Sequence, residues 1–255
     1  MGPPMIWYFI KFFQDERYAD QFMAGELYLN TLSYFKKLES EDDGRMDSTE
    51  AIAMWWQPDD ISIKFTAPGL GETEITKKDL AAPVSMAYDY HNYLHVLCLY
   101  AVHTTGFECI DGKIDYAASE AEELQRQLHI DERCFKFGEH AVITPAVPFL
   151  DQLRGALKSQ SHRAVGKLVE YYDERTFHGE IPPKEIPFRK QKQFSYQREF
   201  RLCIYPTVLH SNPLTIQIGS ISKITAKVGA SRLNSLFDIR SEQAPRRIDP
   251  AWQSA

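Results

Sequence analysis

Residues 194–206 read FSYQREFRLCIYP, from Phe194 to Pro206. In a β-strand, successive side chains alternate between the two faces. Gln197, Glu199 and Arg201 then share one face, while Tyr196, Phe200 and Leu202 share the other. Arg198 falls on the apolar side of that alternation. An amide, a carboxylate and a guanidinium in a row on an otherwise apolar and aromatic strand are either a solvated stripe or a reaction site.

The rest of the chain limits the choice. It has 255 residues, 44% hydrophobic, 25% charged and 13% aromatic, with a formal net charge of −6. That composition is ordinary for a soluble globular protein and supplies enough aromatic side chain for a solid core. The acidic balance argues against a general electrostatic grip on nucleic acid and leaves room only for a local basic groove. The four cysteines, Cys98, Cys109, Cys134 and Cys203, are widely spaced and form no CxxC pair. Cys98 and Cys203 sit in apolar, strand-like runs and read as small core residues; a disulfide framework is not expected, and the expected location is a reducing cytoplasm. No segment reaches the roughly 18 unbroken apolar residues of a membrane helix. The opening MGPPMIWYFIKFF lacks the basic start and small-residue cleavage site of a signal peptide.

From Trp7 the chain reads strand (Trp7–Phe13), short helix, strand. Asp15 is placed to cap the helix, Tyr18, Phe22 and Met23 give it helical apolar spacing, and Gly25 is placed to end it. The second strand is expected over Glu26–Phe35, bending near Ser33. Asn92–Val102 reads as a buried strand. Ser119 followed by Glu122 reads as a capping pattern for a helix over Ser119–His129. Val147–Ser159 is an amphipathic helix with Phe149, Leu150, Leu153 and Leu157 on one side. Strands outnumber helices and no linker divides the chain. The expectation is one α+β domain over residues 1–255 around antiparallel or mixed sheets, with a polar tail from about residue 241.

Two of these stretches together, FIKFFQDERYADQFMAGELYLNTLSYF and FSYQREFRLCIY, resemble the ADP-ribosyltransferase fold. The second also looks like the yE-x-EyR strand of bacterial and phage proteins with that fold, some of which act as toxins in phage defence. The resemblance covers the two ends of the chain and leaves the middle unmatched. It implies split mixed or antiparallel sheets with flanking helices, NAD as a substrate, and no metal. Carried over by position, Glu199 is the catalytic carboxylate and Gln197 orients the acceptor. Lys11 stands where the family usually has His or Arg. Tyr28 stacks on nicotinamide and Asn30 lines the same cleft. The chain departs from the pattern in lacking that first-strand His or Arg and a Ser-Thr-Ser motif.

Two further stretches fit this expectation. In GRMDSTE, Arg45 can clamp a pyrophosphate and Asp47 can order the loop; the spacing does not match a calcium loop. The run from Lys184 to Arg201 interleaves cations with Phe188, Phe194 and Tyr196, a combination suited to phosphates and bases. Arg189, Lys190, Lys192 and Arg201 are therefore the candidate acceptor-binding residues. The histidines form no zinc pattern. The implied activity is transfer of ADP-ribose to a macromolecule, nucleic acid or protein, by a toxin-like enzyme with an antitoxin or inhibitor protein as a further partner and no membrane contact. The alternatives are a binding module for nucleic acid or a partner on the same fold, and an NAD glycohydrolase with no macromolecular acceptor.

Overall fold

The computed structural model describes residues 3–37, 49–69, 71–110, 113–237 and 239. Eight strands form the main sheet: β1 (Met5–Phe13), β2 (Glu26–Thr31), β3 (His95–Thr104), β4 (His140–Pro145), β5 (Arg163–Leu168), β6 (Glu199–Tyr205), β7 (Leu214–Gln217) and β8 (Ala226–Gly229). The spatial order is β5-β6-β3-β1-β4-β8, and β2 joins β3 and carries β7. Every pairing in this sheet is antiparallel. One parallel ladder exists among the described residues, between Glu170–Tyr172 and Arg189–Gln191. The architecture is thus α+β, with antiparallel sheets flanked by helices.

The opening follows from local chemistry. The Asp15 side chain accepts from the Arg17 amide and starts α1 (Glu16–Ala24). Gly25 ends it in the left-handed region at φ 96°, with its N–H reaching the Gln21 and Phe22 carbonyls. A side chain at residue 25 would also meet the Gly219 carbonyl oxygen at 2.0 Å, so glycine is required twice over, by conformation and by space. The second strand is shorter than its sequence suggests. It stops at Thr31 and turns into α2 (Leu32–Lys37). Leu32 is fully buried and its amide donates to the Leu94 carbonyl, so tertiary packing overrides the strand pattern there.

The sheet is buried on both faces. On one, Phe200, Leu202 and Ile204 of β6 pack with Leu97, Leu99 and Phe9 under Phe22 of α1 and Phe149 of α4 (Ala146–Ser159). Each such side chain contributes about 1.5–3 kcal/mol on burial. On the other face lie two separate apolar clusters. One gathers Ile10, Phe12, Tyr100 and Val102 under Leu124 and Leu128 of α3 (Ala121–Leu128). The other gathers Val96, Cys203, Leu32, Ile186 and Phe188. The expected Ser119–Glu122 cap of α3 is not formed. Instead the Glu120 carboxylate accepts from the Ala117 amide at 2.7 Å, and the helix starts one short turn later.

The register places the polar residues between those two clusters. Along β3 and β6 the pairs run Tyr100 with Glu199, Cys98 with Arg201, and Val96 with Cys203. Tyr100 belongs to the first cluster of that face, and Val96 and Cys203 to the second. Glu199, Arg201 and Cys98 therefore occupy a polar seam inside an apolar layer.

Candidate active site

The quoted stretch is not one strand. Residues Lys192–Gln197 form a 3₁₀ turn and β6 begins at Glu199. Arg198 between them is left-handed, with φ 39° and ψ 48°. This conformation is uncommon for a residue with a Cβ. It resets the alternation, so Gln197 and Glu199 meet through a third residue rather than by sharing a strand face. Lys190 Nζ donates to Gln197 Oε1 at 2.9 Å and to Glu199 Oε2 at 3.0 Å. Glu199 and Arg201 do share the face expected of them.

Arg201 is fully buried, and its fork explains why. Nε donates to Glu199 Oε1 at 2.7 Å, Nη1 to Glu50 Oε1 at 2.7 Å and to the Pro187 carbonyl at 2.6 Å, and Nη2 to Glu50 Oε2 at 3.1 Å. Glu50, Lys190, Glu199 and Arg201 thus form a neutral quartet of two carboxylates and two cations. A buried charge persists only when paired and hydrogen-bonded. Burial pushes the Glu199 carboxyl upward, but Arg201 and Lys190 together hold it well below the usual carboxylate range. Burial pushes Lys190 downward, and the Glu199 and Glu50 charges more than offset this. The Cys98 thiol in the same seam is pushed up to about 12 by burial and by the Glu199 charge.

The Glu199 backbone is fixed as well. Its amide donates to the Tyr171 hydroxyl at 2.9 Å, and its carbonyl accepts from the Val169 amide at 2.8 Å. Glu199, Tyr171 and Arg198 line a groove of about 1740 Å³ that runs between α3, the turn Glu132–Phe137 and the strand ends around Leu168. Arg198 reaches across one end, donating to the carbonyls of Gln127 and His103. His103 also lines the groove, and its Nδ1 has no hydrogen-bond partner among the described residues. Burial and the neighbouring Arg198 charge lower its pKa to about 4.

The other expected residues are dispersed. Lys11 donates to the Cys98 carbonyl at 3.0 Å, at the stretch of β3 where β1 has left and β2 has not yet joined. Asn30 pairs with Val96. Tyr28 is 56% exposed. Lys11, Tyr28 and Asn30 do not line the groove that Glu199 faces. Arg45 and Asp47 lie outside the described residues. The candidate acceptor-binding cations are not a free basic surface. Lys190 and Arg201 are buried in the quartet, Arg189 pairs with Glu170 at 2.7 Å, and Lys192 lies 3.5 Å from Asp173.

Two members of the quartet, Glu50 and Lys190, are missing from the sequence-derived catalytic set. A signal existed: two opposite charges in an apolar strand flanked by hydrophobic clusters need further buried partners. Among the described residues no group of three or more His, Cys, Asp or Glu side chains is placed to hold a metal ion, and no helix is long and apolar enough to cross a membrane. Comparison with family models, with curated proteins and with solved structures finds no match for this chain.

Proposed function

We propose that this protein cleaves NAD and transfers ADP-ribose to a macromolecule, with Glu199 as the catalytic carboxylate. The observation that carries the reading is a carboxylate kept ionised by two buried cations while it lines a groove. In the reaction, the bond between ribose C1′ and the nicotinamide nitrogen breaks. Its electron pair leaves with nicotinamide, which loses its positive charge. The ribose carries the developing oxocarbenium charge until an acceptor nucleophile bonds to C1′ and releases its proton.

A fixed negative charge beside that centre lowers the barrier without reorganisation. An ionised carboxylate offers roughly four acceptor positions. Arg201, Lys190 and the Cys98 thiol occupy one each. That leaves about one position for a ribose hydroxyl. Arg198 carries positive charge on the same wall for the diphosphate. Gln197, held by Lys190, places its Nε2 3.5 Å from the hydroxyl of Tyr196, which lines the groove, although Gln197 itself does not.

The test is nicotinamide release from NAD by the purified protein, its Glu199→Gln variant and a Leu153→Ala variant. Leu153 is on the buried face of α4, away from the groove, and controls for lost stability. Release by wild type and Leu153→Ala but not by Glu199→Gln supports the reading; equal release by all three removes it.

A second reading is favoured by one observation, that both Glu199 oxygens already have cationic partners. In that reading the quartet is a structural brace and the groove is the binding surface of a non-catalytic module. Wild-type protein that binds NAD without releasing nicotinamide, or binds none, favours it.

A further inference from the structure

The groove exceeds what one small molecule occupies. Small-molecule sites span roughly 300–1,000 Å³, against about 1740 Å³ here. Its walls carry six carboxylates (Glu120, Glu123, Asp131, Glu132, Glu170 and Glu199) and four cations (Arg126, Arg133, Lys167 and Arg198). Three of those cations have carboxylate partners: Arg126 with Glu123, Arg133 with Asp131, and Lys167 with Glu185. The exposed pairs can exchange partners cheaply, but Glu199 is balanced within the quartet and Glu170 by Arg189, so the wall is left with Glu120 and Glu132 against Arg198. A nucleic-acid strand needs several phosphates neutralised at once, and this wall does not supply the cations.

A smaller hollow of about 500 Å³ adjoins the groove and shares Gly106, Phe107 and Glu120 with it. Its remaining described walls are Glu108, Asp115, Tyr116 and Ala117, with no cation among them. Glu108 and Asp115 stand directly opposite each other on the hairpin Glu108–Ile110/Lys113–Asp115. Like charges in that position destabilise a hairpin. Two carboxylates facing each other beside two aromatic rings suit a guanidinium or ammonium group, which aromatic faces and carboxylates both attract. The groove already holds one such arrangement within the chain: the Arg133 guanidinium lies 4.0 Å over the Tyr196 ring and pairs with Asp131.

We infer that the macromolecule received by this groove is a protein presenting an extended basic segment, one of whose Lys or Arg side chains anchors in the hollow between Glu108, Asp115, Phe107 and Tyr116. The inference names the acceptor of the transfer proposed above and rests on that reading for its chemistry, while the binding itself is measured without NAD.

The experiment uses fluorescence anisotropy with the full chain and two labelled probes, a 12-residue peptide of alternating Gly and Arg and a 12-nucleotide single-stranded RNA. The peptide binds, the RNA binds at least about tenfold more weakly, and added salt weakens the peptide complex. Glu108→Gln with Asp115→Asn weakens peptide binding about tenfold and raises the melting temperature by removing the like-charge pair. Glu72→Gln with Glu74→Gln, on the separate hairpin Ile63–Ala67/Gly71–Ile75, changes net charge equally and leaves peptide binding as it was. Binding lost together with a gain in stability is an outcome a purely structural role does not produce. RNA bound more tightly than peptide, peptide binding indifferent to the Glu108/Asp115 change, or no binding of either probe overturns the inference. Nicotinamide release measured on the same preparations shows separately whether the transfer reading stands.

Discussion

Replacing Arg201 by leucine tests whether the quartet holds the site together. The side chain makes four hydrogen bonds of 2.6–3.1 Å, to Glu199, Glu50 and the Pro187 carbonyl, with no exposure to water. Leucine has similar bulk but leaves two buried carboxylates facing one cation, Lys190. Removing one partner of a buried pair costs about 3–5 kcal/mol, because the charge left behind is uncompensated. For a chain of this size that lowers the melting temperature by roughly 10 °C. Denaturant unfolding of Arg201→Leu, Glu50→Leu and the double variant separates this cause from lost packing. The Glu50 charge is the one stranded by the first change, so the double variant is no less stable than Arg201→Leu. That corresponds to a coupling of at least about 2 kcal/mol. A loss below about 1 kcal/mol for Arg201→Leu, or strict additivity in the double, refutes the reasoning.

Stability falls in acid through His103. Its pKa is about 4 in the folded chain against an ordinary 6.5, so above pH 6.5 it is neutral in both states and contributes no pH dependence. As pH falls below that, the unfolded chain takes up the proton and the folded chain does not, and stability is lost until about pH 4. The full shift corresponds to about 3 kcal/mol, reduced to about 1–2 kcal/mol for a half-buried ring reached by water. His103→Gln flattens this part of a stability-versus-pH curve, and an unchanged slope counts against the assignment. Gly25→Ala costs about 3 kcal/mol or more, from positive φ and contact with the Gly219 carbonyl. A denaturant midpoint within error of wild type contradicts it.

The opening strand, helix and strand are legible because their signals are local: an Asp cap, a terminating Gly, and period-two apolar residues. So is β3, whose short apolar run reads as a buried strand. The candidate site is legible only in part. Glu199 and Arg201 stand out as charges on an apolar strand, but alternation misplaces Gln197, because one left-handed residue at Arg198 breaks the period. Lys190 reads as part of a basic surface run since nothing local marks it as buried. Its burial follows from Glu199 and Glu50, and Glu50 lies 151 residues from Arg201. The basic run loses its apparent charge for the same reason, since its partners Glu170 and Asp173 lie in another segment. Partnerships of this kind are set by the tertiary fold and leave no periodic trace.

The central claim is that Glu199 in the groove drives cleavage of NAD and transfer of ADP-ribose. The most direct measurement incubates the purified protein with NAD labelled in its ADP-ribose part and a bacterial lysate, alongside Glu199→Gln and Leu153→Ala. Each sample is then divided between nuclease and protease before the label is located. Macromolecular label that appears with wild type and Leu153→Ala, is absent with Glu199→Gln and disappears on protease treatment is the predicted result. Label that survives in Glu199→Gln, or folded wild-type protein that neither labels a macromolecule nor releases nicotinamide, contradicts the account.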